Sequence, residues 1–133
     1  MKFRFSVCLV LPVLLGACQA IGPVFVDYHG VRRDVATWIN QQSLLSMQQK
    51  RSLAQLARAE QPLLRATPMA EADKLAVVKQ RQIAIHCAQT HVAAPKIEQL
   101  QQQVFGEAQA QTMQRYQTEF PTVKLAASSI QCD

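Results

Sequence analysis

Apolar residues recur every three or four positions along most of residues 31–133. This spacing places them on one face of a helix, whereas the strict alternation typical of a half-buried strand is almost absent. The apolar positions are Val31, Val35, Trp38 and Ile39; Leu53, Leu56, Ala57, Leu63 and Leu64; Leu75, Val78, Ile85 and Val92; and Ile97, Leu100, Val104, Phe105, Ala108, Tyr116 and Phe120. We predict an all-α fold, a small bundle of three or four helices.

Capping and proline signals indicate where the central helices begin and end. Ser46 with Gln49 three residues on has the form of a capping box. Pro62 should kink or end the second helix, because proline lacks a backbone donor. Thr67 and Pro68 predict the start of the third helix, since threonine caps well and proline suits the first helical position.

The last predicted helix begins at Pro95 and stops at Pro121. Gly106 lies inside it and costs up to about 1 kcal/mol of helix stability relative to alanine. Close packing is one reason for a glycine at this position. The tail that follows Pro121 has weak helix signals.

The first 17 residues have a different pattern. A positively charged start is followed by an almost wholly apolar run at 5–15 and by two small residues at 16–17. This is the pattern of a secretory signal peptide, and the run is shorter than the ~20 residues that span a bilayer. We predict a signal peptide over 1–17, a tether over 18–30 and a helical periplasmic domain over 31–133.

A cysteine directly follows the small residues. The sequence Leu15-Gly16-Ala17-Cys18 resembles the lipobox of bacterial lipoproteins. The resemblance implies diacylglycerol on the Cys18 thiol, cleavage before it and acylation of the new amine, and so a lipid anchor in a membrane. Gln19 in place of aspartate favours the periplasmic face of the outer membrane. The layout is similar to that of small outer-membrane lipoproteins of Gram-negative bacteria, many of uncharacterised function.

Two further cysteines remain in the predicted mature chain, Cys87 and Cys132. An oxidising periplasm favours a disulfide between them, and such a bridge would stabilise the fold by about 4 kcal/mol. The alternative is two free thiols.

The charge of the mature chain is mild. Removing the signal leaves 12 basic and 9 acidic residues, a net charge of +3. No basic cluster is interleaved with aromatic residues, so we expect no nucleic-acid partner. Arg32 and Arg33 near the anchor are interpreted either as contacts to acidic headgroups or, more simply, as a solvated face.

Few residues suggest chemistry. Cys87 and His91 share a helix face, whereas His86 points elsewhere. A zinc site needs three or four ligands, so His29, Met69 and Met113 would have to be brought in by the fold. The carboxylates are spread singly and are expected to be solvated charges: Glu60, Glu71, Asp73, Glu98, Glu107 and Glu119. We therefore expect no enzyme and no cofactor, with a metal-binding protein as a distant alternative.

The remaining patterns favour an interaction protein. Eight glutamines between Gln99 and Gln117 predict a solvated helix face or, alternatively, a hydrogen-bonding surface for a partner. Phe105 and Tyr116 are the candidate aromatic anchors for an envelope protein partner, with core packing as the other interpretation.

A second resemblance suggests an alternative function. The stretch LSMQQKRSLAQL resembles the LTxxQ motif of periplasmic helical stress chaperones, matching it at Leu45, Ser46 and Gln49. The leading hypothesis is a lipid-anchored interaction or assembly module. The alternative is a chaperone-like protein that binds unfolded chains.

Overall fold

The computed structural model describes residues 26–65 and 68–133, and this part of the chain is helical without a strand. Its helices are α1 (Arg33–Asn40), α2 (Met47–Glu60), α3 (Glu71–His91), α4 (Ala94–Phe105) and α5 (Gln109–Glu119). Short 3₁₀ turns lie at Gln61–Leu64, Gly106–Ala108 and Ala127–Ser129. The prediction of an all-α bundle is confirmed. The signal peptide, Cys18 and most of the predicted tether lie outside the described residues.

Helix α2 forms the centre of the bundle. It packs along α3 and also contacts α1 and α4, so it buries residues on several faces. The small side chains of Ala54 and Ala57 are fully buried on this helix. The surrounding core is made of Val35, Ile39, Leu53, Leu56, Leu63, Val78, Leu100 and Val104.

The boundaries of α2 follow the predicted signals. The Ser46 hydroxyl accepts from the Gln49 amide at 3.2 Å, and the Gln49 side chain accepts from the Ser46 amide at 2.9 Å. The capping box is therefore confirmed. The α-helix ends at Glu60, and Pro62 lies in the 3₁₀ turn that follows, as predicted.

Helix α3 begins three residues later than Pro68. Its N-cap is Ala70, which provides no side-chain bond, and the acidic residues of the first turn are Glu71 and Asp73. Pro68 and Met69 instead line a cleft against α5, so tertiary packing uses the residues that were predicted to start the helix. Thr67, the predicted cap, lies outside the described residues.

The buried face of α3 also differs from the prediction. Leu75 is 37% exposed, whereas Cys87 and Ala88 are fully buried. The two helices are antiparallel, because Glu60 at the end of α2 contacts Arg81, and Gln49 at its start contacts the His91 carbonyl. The first turns of α3 therefore extend beyond the end of α2, and Leu75 lies in this part of α3.

The predicted last helix is broken at Gly106. This glycine has φ 53° and ψ −137°, a conformation that side-chain-bearing residues avoid, and it separates α4 from α5. A Cβ built at Gly106 would meet no atom within 4 Å. Backbone conformation, and not close packing, is the reason for glycine at this position.

An extended tail over 121–133 lies across α2 and α3. Its carbonyls accept from glutamine side chains: Val123 from Gln82 at 2.8 Å, Gln131 from Gln55 at 3.1 Å and Asp133 from Gln48 at 3.0 Å. Cys132 is joined to Cys87 by a disulfide with the two Cα atoms 5.5 Å apart. The predicted bridge is present in the structure, and it fastens the tail to α3.

Candidate functional site

A charged cluster lies inside the bundle where α2 to α5 meet. The Glu60 side chain is fully buried. Its Oε1 accepts from Arg81 at 3.1 Å and from Gln101 at 2.9 Å. The Arg81 guanidinium also lies over the Tyr116 ring, 4.7 Å from its centroid. The cluster ties four helices together with one ion pair.

Burial and the polar partners of Glu60 act on the pKa of its carboxyl in opposite directions. Burial raises the pKa of the Glu60 carboxyl, while Arg81 and Gln101 oppose that rise. Its second oxygen, Oε2, and the Nε of Arg81 have no partner among the described residues. Because the contacts of Glu60 with Arg81 and Gln101 join α2, α3 and α4, we interpret the cluster as an internal brace.

The burial of Glu60 corrects the expectation that it is a solvated charge. A signal for burial was present in the sequence. Glu60 lies four residues after Leu56 and seven after Leu53, so it shares the buried face of α2.

The two aromatic candidates occupy different environments. Phe105 is 4% exposed and belongs to the hydrophobic core. Tyr116 is half-buried under Arg81, with its ring centroid 5.2 Å from that of Phe120. The structure thus places Phe105 in the core and not on a contact surface, while the Tyr116–Phe120 pair lies at the edge of the core.

Next to this aromatic pair is a basic cleft, a cavity of about 190 Å³ between the start of α3 and the end of α5. It is lined by Arg65, Pro68, Met69, Lys74, Arg115, Glu119 and Phe120. Three cations and one carboxylate give the lining an excess of positive charge.

The cations of the basic cleft are held in different ways. Arg115 donates to the Leu63 carbonyl, and Lys74 pairs with Glu71 at 2.8 Å. Arg65 is exposed. The residues that line the cleft with Arg65 lie up to 55 positions away in the sequence, at Phe120. Sequence spacing therefore gave no signal for this site.

The Cys87 and His91 pair is not available for a metal. Cys87 is consumed by the disulfide. Across residues 26–65 and 68–133 there is no group of three or more histidine, cysteine, aspartate or glutamate side chains arranged to hold a metal ion.

Arg32 has a structural role. It pairs with Asp34 at 2.6 Å and donates to the carbonyls of Gln103 and Val104 at 2.9 and 3.1 Å. Its guanidinium thus caps the C-terminus of α4, where a positive charge is favourable. Arg33 is exposed and fits the solvated interpretation.

The glutamines between Gln99 and Gln117 are mainly solvated. Six of the eight are exposed, and Gln101 and Gln109 are partly buried. This favours the solvated-face interpretation for the segment, with Gln101 recruited to the interior cluster.

No protein-family model, curated protein or solved structure matches the chain. Within the part of the chain that the structure describes, none of the helices has the length and apolar character needed to cross a membrane.

Proposed function

We propose that the protein is a non-enzymatic, membrane-anchored envelope lipoprotein whose helical domain is an interaction module for another envelope protein. The lipobox resemblance at Leu15–Cys18 supports the anchor, and Gln19 in place of aspartate supports a site on the periplasmic face of the outer membrane. The Cys87–Cys132 disulfide supports an oxidising compartment.

The basic cleft is the observation that carries the interaction hypothesis. It combines the Met69 thioether, the Phe120 ring and the cations of Arg65, Lys74 and Arg115. Methionine and aromatic side chains adapt to an apolar group, and the arginine forks suit carboxylates. We infer that the partner offers an acidic segment with an apolar side chain.

The exposed apolar surface favours such a defined contact over a chaperone. A protein that binds many unfolded chains needs a broad apolar face. Among the described residues, the exposed large apolar side chains are Leu44, in the loop between α1 and α2, and Leu75, on α3. The capping box accounts for Ser46 and Gln49, the polar positions of the chaperone-like motif.

Photo-crosslinking in cells tests this proposal. A photo-reactive amino acid replaces Glu119, which lines the basic cleft, or Gln117, which is exposed on the same helix outside it. We expect a discrete adduct from position 119 and little from position 117, with the crosslinked peptide of the partner rich in aspartate and glutamate.

Charge reversal provides the matched control. Arg65→Glu should abolish the adduct, whereas Lys79→Glu, at an exposed position of α3 outside the cleft, should leave it unchanged. Adducts that are equal at both positions, or unaffected by Arg65→Glu, contradict the proposal. Adducts with many different partner proteins would favour the chaperone function.

A further inference from the structure

One end of the bundle carries a fully exposed leucine. Leu44 lies in the loop between α1 and α2 and is 97% exposed, although its neighbours Leu45 and Met47 pack partly against the core. Because the Leu44 side chain is almost fully exposed, inserting it into an apolar medium breaks no packing contact within the domain.

Two ammonium groups lie against the same loop. Lys50 donates to the Asn40 carbonyl at 2.9 Å, and Lys96 donates to the Gln42 side chain at 3.0 Å. Both of these acceptors are uncharged, so the bonds leave the positive charges in place. Between residues 35 and 59 the chain has no aspartate or glutamate.

An aromatic side chain completes the group. Trp38 is half-buried, and Lys96 lies over its ring, 5.7 Å from the centroid. We call Trp38, Leu44, Lys50 and Lys96 the Leu44 corner. Leucine, tryptophan and lysine together are the set that favours the interface of an anionic bilayer.

The first described residue, Val26, lies near this corner. Gly30 accepts from Gln61, just beyond the end of α2, whereas Val26 lines a cavity with Met47, at the start of α2. Followed backwards, the chain leaves the described residues beside the loop that carries Leu44. Cys18 is eight residues before Val26, so the two lie at most about 29 Å apart.

We propose that the Leu44 corner docks on the leaflet that holds the anchor, with Leu44 inserted among the acyl chains and Lys50 and Lys96 facing anionic lipid phosphates. This inference rests on the proposed lipid anchor at Cys18. Docking would fix the orientation of the domain relative to the membrane, and with it the direction in which the basic cleft faces a partner.

The sole tryptophan of the chain, Trp38, reports on this contact directly. The full-length chain is expressed, and the lipidated protein is reconstituted in vesicles of phosphatidylethanolamine and phosphatidylglycerol, with or without brominated acyl chains. Because a docked Trp38 lies at the boundary of headgroups and acyl chains, bromine should lower its emission roughly twofold.

Two leucine variants separate docking from anchoring. Leu44→Asp should lose the bromine quenching, and Leu75→Asp, at an exposed leucine on α3, should retain it. Both variants should float with the vesicles, since the lipids on Cys18 are unchanged. Quenching that is equal in wild type and Leu44→Asp, or absent from a wild type that floats, overturns the docking proposal.

Other outcomes identify other causes. Failure of the wild type to float refutes the anchor itself. Quenching that is the same in vesicles without phosphatidylglycerol overturns the role of the two lysines. A Trp38 that is unquenched in vesicles but shielded from acrylamide in native envelopes would assign the corner to a protein partner and overturn the lipid contact.

Discussion

Replacing Cys132 by serine should destabilise the domain severely. The bridge to Cys87 spans 45 positions, and the chain-entropy model assigns a loop of that length about 4 kcal/mol of stabilisation. Domains of this size have a free energy of unfolding of about 5–15 kcal/mol. The expected loss is therefore a large fraction of the total stability.

Serine at position 132 isolates the effect of the bridge. Cys132 is exposed, so its new hydroxyl remains solvated, and the free thiol of fully buried Cys87 behaves as a small apolar group. The reverse substitution, Cys87→Ser, would bury a hydroxyl and add an unrelated cost of about 1–3 kcal/mol.

Urea unfolding measures the loss of unfolding free energy, and thermal unfolding measures the fall in Tm. The Cys132→Ser variant should lose about 4 kcal/mol of unfolding free energy, or about 15–30 °C in Tm. Reductant should lower the wild type to the level of the variant and leave the variant unchanged. A loss under about 1 kcal/mol would refute the entropic reasoning, and two free thiols in the mass of the unreduced protein would refute the bridge.

Three further predictions test the anchor, the core and the interior ion pair. Cys18→Ser should abolish incorporation of a tagged fatty acid and leave an uncleaved precursor, and equal labelling of variant and wild type would reject the lipobox assignment. Phe105→Ala should cost about 3–5 kcal/mol in urea unfolding, because Phe105 is 4% exposed, and half-buried Tyr116 should cost less. Burial raises the pKa of Glu60, so its contribution to stability is fully present below the unfolded pKa of about 4.3 and is lost as pH rises through the folded pKa. The urea midpoint of the wild type should therefore fall relative to that of Glu60→Gln from pH 4 to pH 7, and a rising difference would contradict the raised pKa.

Local signals in the sequence predicted much of the helical architecture. The periodicity of apolar residues, the Ser46–Gln49 box and the stop at Pro62 each depend on residues within one or two turns, and each is found in the structure. The pairing of Cys87 with Cys132 followed from the small number of cysteines in the predicted mature chain.

Other features depend on how the helices are arranged, which periodicity does not encode. The exposed Leu75 lies in the part of α3 that extends beyond the end of α2. The basic cleft brings Arg65 to Phe120 through the fold alone. A glycine inside a helical pattern can serve close packing or a positive φ. The backbone geometry of Gly106 shows that it serves the second.

Carboxamides hold the C-terminal tail at three points, through Gln48, Gln55 and Gln82. A carboxamide is uncharged and gains no proton in mild acid. Its hydrogen bond to a carbonyl therefore depends little on pH or on salt concentration. High salt should weaken the partly exposed Arg58–Asp133 ion pair and leave the three carboxamide hydrogen bonds in place. The tail thus keeps its place when the acidity or the salt concentration around the protein changes.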